Sequence, residues 1–132
     1  MQKFIPAFDG IATSDTLECE ELRDSSSGLV ISLRRADGSK LSIHFEDHLA
    51  YRLLDEGDAL EAIHQLGKSE NRENRIYIVE NSEFIEWFHN QSYGVRRNDK
   101  LSHYIIFSSN DIIDVISLGA PTLKSPKKNG EQ

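Results

Sequence analysis

Two short apolar runs, His103-Tyr104-Ile105-Ile106-Phe107 and Ile112-Ile113-Asp114-Val115-Ile116, constrain the fold of this chain most. Neither alternates apolar with polar residues as a strand with one wet face does, so each reads as a strand covered on both faces. Only Ser108-Ser109-Asn110-Asp111 separates them, which makes them a hairpin of two central strands.

A second hairpin is as clear. Leu29, Ile31 and Leu33 share one side of a strand that ends at Arg35, and Asp37-Gly38 turns the chain into Leu41, Ile43 and Phe45. Ahead of it, Thr16 to Arg23 alternates in part, with Leu17, Cys19 and Glu21 on one side of the pleat and Glu18, Glu20 and Leu22 on the other. Leu49 to Leu54 continues the series as a further strand, giving a meander of three or four strands. The lead-in with Phe4, Ile5, Phe8 and Ile11, broken by Pro6 and Gly10, reads as irregular.

Two short helices follow. Asp58-Ala59-Leu60-Glu61 has the spacing of a capping box, and Ala59, Ala62, Ile63 and Leu66 then form a narrow apolar stripe that Gly67 ends. The polar run from Lys68 to Asn74 is a loop, and Arg75 to Glu80 is a β-branched strand. A second helix is expected over Ser82 to Gln91, with Phe84, Ile85, Trp87 and Phe88 on more than one face and Gly94 as its stop.

This order predicts an α+β fold: a mainly antiparallel sheet of about six strands with two short helices packed on one face. The chain has 132 residues, 38% of them apolar, which suits one core. The expected domain covers residues 1–120. Residues 121–132 are expected to be a disordered tail, since Lys124 to Gly130 offers almost nothing to bury.

Charge and cysteine usage narrow the function classes. Residues 1–66 hold 13 Asp and Glu against 6 Lys and Arg, residues 67–132 hold 9 of each, and the whole net charge of −7 therefore lies in the first half. An acidic excess opposes the phosphate neutralisation on which nucleic-acid affinity rests, so no direct DNA or RNA binding is expected. The single Cys19 cannot make an internal disulfide, and Met1 to Pro6 lacks the apolar run of a secretory signal. The expectation is a cytoplasmic protein with no membrane span.

Catalytic and metal readings find little support. His44 and His48 stand four apart, but on a strand that separation is about 13 Å, too far for one zinc ion. His64 and His89 fall on the two helices, where packing and the helix dipole explain them. Cys19 lies among Glu18, Glu20 and Glu21, which oppose a reactive thiolate. Asp55-Glu56-Gly57-Asp58 has calcium-like oxygens without the full loop motif. A small nuclease or hydrolase could use His103 with Tyr104, Arg96, Arg97 and Lys100, provided they converge in a cleft. No catalytic residue, metal ligand or cofactor is expected, and the chain reads as a non-enzyme.

The charge pattern points to protein binding. Between Glu46 and Glu61 stand Glu46, Asp47, Asp55, Glu56, Asp58 and Glu61 against the single Arg52, a local net of −5. Tyr51 lies among them as a candidate aromatic anchor, and Glu83 and Glu86 flank Trp87 on the second helix. Such a surface suits a cationic partner.

In size, acidity and element order, with His103-Tyr104-Ile105-Ile106-Phe107 and Asn110-Asp111-Ile112-Ile113-Asp114-Val115 closing the pattern, the chain resembles bacterial immunity proteins of contact-dependent growth inhibition and related polymorphic toxin systems. The resemblance implies an antitoxin mechanism: a carboxylate-rich face docks over the basic active-site cleft of a cognate toxin domain, such as a nuclease, and blocks its substrate. The alternative is a small-molecule-binding or accessory domain of a larger assembly, for which an apolar pocket under the second helix would speak.

Overall fold

The computed structural model describes residues 1–8, 16–69 and 72–125. Nine strands and two helices follow in the order β1 (Lys3–Pro6), β2 (Leu17–Ser25), β3 (Gly28–Arg35), β4 (Lys40–Phe45), β5 (His48–Asp55), α1 (Leu60–Gly67), β6 (Ile76–Glu80), α2 (Glu83–Gln91), β7 (Ser102–Phe107), β8 (Asp111–Ser117) and β9 (Thr122–Lys124). The class is α+β and every strand pairing is antiparallel. In detail the architecture departs from one sheet of about six strands. Among the described residues there are two sheets, ordered β1-β6-β7-β8-β5 and β2-β3-β4-β9.

The β7–β8 hairpin explains why two sheets are needed. Tyr104, Ile106, Ile113 and Val115 pack with Leu29, Ile31, Leu33, Leu41, Ile43 and Phe45 of the smaller sheet, forming the core between the sheets. The opposite face carries Ile105, Phe107 and Ile112, which join Phe4, Tyr77 and Val79 under Ala59 and Leu66 at the two ends of α1. The larger sheet is thus a middle layer, with the smaller sheet on one side and helices on the other.

Several local expectations change. β5 leaves the meander and pairs with β8 in the other sheet, Leu53 opposite Ile113 and Arg52 opposite Asp114. β2 has a bulge between Cys19 and Glu21, and the extra residue brings Leu22, opposite Ile31, onto the face of Cys19, opposite Leu33. Past Pro121, within the stretch expected to be a tail, β9 pairs with β4, Leu123 opposite Ile43. Residues 126–132 of the tail expected over 121–132 lie outside the described residues, as do Gly10 and Ile11 of the lead-in and part of the loop after Lys68. The lead-in itself forms β1, with Phe4 buried opposite Val79.

The helix starts also differ from one another. α1 has Ala59 at its N-cap and no side-chain cap, so the Asp58 box is not made; Asp58 instead donates its amide to the Asp55 carbonyl in a tight turn. α2 begins as its sequence predicts, with the Ser82 hydroxyl accepting from the Ile85 amide at 2.9 Å. At the β2–β3 turn Gly28 has φ +118°, and a Cβ there would collide with the Phe45 carbonyl, so only glycine fits.

Candidate functional site: a trough along the β5 edge

β5 forms one edge of the larger sheet, and among the described residues β8 is its only strand neighbour. A cleft of about 390 Å³ is lined by five consecutive residues of β5, His48 to Arg52, together with Phe84 and Trp87 of α2 and Asp24 of β2. Successive side chains of a strand point to opposite faces, so a cavity touching five in a row runs along the strand's edge. Since β8 occupies one edge, the cleft follows the other.

Its walls come from different layers. Phe84 is buried and stacks with Trp87, ring centroids 5.7 Å apart and planes at 24°, while Trp87 remains 50% exposed. The Arg52 guanidinium sits 4.2 Å over the Phe84 ring. On the other side Tyr51 shares its face with Val115, toward the smaller sheet, and stays partly exposed. His48 Nε2 meets Asp24 Oδ1 at 2.9 Å, joining β5 to the end of β2.

A buried polar chain holds this wall in place. His103 Nε2 lies 2.6 Å from Asp114 Oδ1, Arg52 Nε donates to Asp114 Oδ2 at 3.0 Å, and the Ser82 hydroxyl is 2.7 Å from His103 Nδ1. His103 is 2% exposed and Asp114 3%. With the proton on Nε2 every partner is satisfied: imidazole donates to carboxylate, the Ser82 hydroxyl donates to Nδ1, and its oxygen accepts the Ile85 amide. The chain ties the start of α2 to β7, β8 and β5. Sequence reasoning did not find it, because Ser82, His103, Asp114 and Arg52 stand on four separate elements. The signal within reach was Asp114, a lone carboxylate inside an apolar strand that needs buried partners.

The order serine, imidazole, carboxylate is also that of nucleophilic hydrolases. Here the serine oxygen is engaged as a helix cap and the imidazole is sealed from solvent. The other hydrolytic grouping is not assembled. Tyr104 points to the opposite face from His103, against Phe45 with centroids 5.5 Å apart, while Arg96 pairs with Asp99 and Arg97 with Glu86.

The sequence-predicted binding residues are brought together only in part. Tyr51 and Trp87 line the same cleft. Glu46 and Asp47 form the turn that enters β5, whereas Asp55 is its last residue and Glu56 and Asp58 follow it. Eight residues of strand put roughly 26 Å between Asp47 and Asp55. The carboxylates are therefore two flanks of the edge and not one patch. Glu61 lies in the first turn of α1 and accepts from Gln65 at 3.0 Å. On α2, Glu83 is exposed and Glu86 pairs with Arg97 at 2.9 Å, which lowers its carboxyl pKa. Burial, then Asp111, pushes the Cys19 thiol pKa up, with Glu20 a smaller contributor.

Among the described residues no group of three or more His, Cys, Asp and Glu side chains is placed to hold a metal ion, and no helix is long and apolar enough to cross a membrane. No family model, curated protein or solved structure matches the chain.

Proposed function

We propose that this chain is a protein-binding inhibitor of the immunity-protein type, acting in the cytoplasm on a basic toxin domain such as a nuclease. The observation that carries the reading is the exposed apolar and aromatic edge of β5 and α2 between two sets of carboxylates. Aromatic side chains held rigidly at the centre of an interface carry much of the affinity, and charges at its rim mainly speed the encounter. Trp87 on its Phe84 base fits the first role, and Asp47, Asp55, Glu56 and Asp58 fit the second. The carboxylates no longer need to form the contact surface themselves.

The test is growth rescue by this chain in cells that express a basic nuclease toxin domain drawn from its own host. Wild type should restore growth, Trp87→Ala should fail while remaining folded, and Asp55, Glu56 and Asp58 changed together to Lys should slow binding and flatten its salt dependence. Rescue that survives both variants would discard the reading. Hydrolysis at Ser82 is a second reading, favoured only by the serine–imidazole–carboxylate order. Labelling of Ser82 by a fluorophosphonate would support it over binding.

A further inference from the structure

Among the described residues the two sheets have four edges, and three carry the usual protection against stray strand pairing. β1 is four residues long and ends in Pro6, β9 is three residues long, and β2 is bulged and charged by Glu18, Glu20, Glu21, Arg23 and Asp24. β5 differs. It runs for eight residues, its one irregularity lies at its start between His48 and Ala50, and Leu49 to Leu54 holds a single charge, Arg52, whose guanidinium is committed to Asp114. Leu53 and Leu54 are 42% and 44% exposed.

The hydrogen-bond phase of β5 shows which backbone groups face outward. The Glu56 amide bonds the Asn110 carbonyl and the Leu118 amide bonds the Asp47 carbonyl, each across the β5–β8 side. In an antiparallel pair these directions alternate along the strand. Arg52 and Leu54 therefore turn their amides toward β8, and Tyr51 and Leu53 turn theirs away from it, to the open edge that the trough follows from His48 to Arg52.

We propose that the partner docks by adding a strand to β5, an extended basic segment whose backbone bonds the outward groups of Tyr51 and Leu53. This rests on the binding reading above and specifies its mode. Alternate side chains of the added strand would fall on the Trp87 side and the Tyr51 side of the cleft, which gives specificity, while the main chain gives affinity. Carboxylates at both ends of the edge select a segment with Lys or Arg flanking an apolar β-forming centre of about five to six residues. A second copy is a poor occupant. Antiparallel self-pairing would set the Glu46–Asp47 end of one molecule against the Asp55–Asp58 end of the other, between two chains of net charge −7.

The test follows amide exchange in the intact chain during titration, to millimolar concentration, with the synthetic heptapeptide Lys-Val-Thr-Val-Thr-Val-Lys. The comparison is the same peptide N-methylated at alternate residues. Exchange at Tyr51 and Leu53 should slow by about tenfold or more with the first peptide and stay unchanged with the second. Leu53→Pro, which removes an outward amide without costing a β5–β8 bond, should abolish the effect; the methylated peptide asks the same question without altering the protein. Chemical-shift changes at the carboxylates with Tyr51 and Leu53 unprotected would overturn strand addition while leaving the binding face standing. No response anywhere would remove both. Protection of the two amides that grows with protein concentration alone would make a second copy the occupant and overturn the proposal.

Discussion

Asp114→Ala should be among the most damaging single substitutions in this chain, and its cost follows from the bonds around one carboxylate. Asp114 accepts from His103 at 2.6 Å and from Arg52 at 3.0 Å. A hydrogen bond to a charged group contributes about 1.5–3 kcal/mol. The His103 bond is sealed from solvent and belongs at the upper end, while the Arg52 side chain is 51% exposed, so its bond counts for about 0.5–1 kcal/mol after screening. Removing the carboxylate also leaves a buried imidazole N–H without an acceptor, which brings the expected loss to about 3–4 kcal/mol. With a urea dependence of about 2 kcal/mol per molar, the unfolding midpoint should fall by about 1.5–2 M. Arg52→Ala should cost less, about 1–2 kcal/mol, since it gives up a screened bond and a cation–π contact and water can reach the freed oxygen. Urea unfolding of the two variants decides the matter. A loss below about 1 kcal/mol for Asp114→Ala, or equal losses for the two, would refute the view that the imidazole–carboxylate bond holds the wall of the cleft.

Two glycine substitutions should act in opposite directions. Gly28→Ala meets both a left-handed backbone and the Phe45 carbonyl and should cost about 2 kcal/mol or more, whereas Gly67→Ala, on open helix surface, should gain about 0.5 kcal/mol; thermal melts of the pair check the signs. Burial raises the phenol pKa of Tyr77 and Tyr104. A raised folded value favours the neutral native form, so this stability is complete below the unfolded tyrosine pKa of about 10 and is lost as pH climbs through the folded values. Alkaline titration should show a late rise in phenolate absorbance that Tyr77→Phe and Tyr104→Phe each reduce. Glu86 runs the other way: its lowered pKa contributes stability above the ordinary carboxyl range that disappears as pH falls through the folded value, and Arg97→Ala should remove that part of the acid dependence.

Much of the fold was legible in local pattern. The β3–β4 and β7–β8 hairpins stand where turn chemistry and apolar spacing put them, and α2 begins at its serine cap. The apolar runs of β7 and β8 also imply more layers than one sheet and two helices provide. Strands buried on both faces need two covering layers, and two short helices can supply only one, so a second sheet was required. Residues that depend on distant neighbours were not legible. Nothing in Leu49 to Leu54 says whether that strand stays beside β4 or crosses to β8, since both offer apolar partners. A single inserted residue in β2 reversed the side on which Leu22 lies, which alternation alone cannot foresee. The crowding of Glu46 to Glu61 along the chain suggested one charged patch, yet an intervening extended strand places its two ends far apart. Tyr51 and Trp87 keep company with carboxylates along the chain, but they meet because α2 lies beside the edge of β5.

The decisive measurement is residue-resolved hydrogen exchange of the free, dilute protein along β5. An edge open for a partner predicts a strict alternation, with the Arg52 and Leu54 amides slow and those of Tyr51 and Leu53 exchanging within the range of exposed loops. Uniformly slow exchange across all four would mean that the edge is already covered, and the binding account would fall with it.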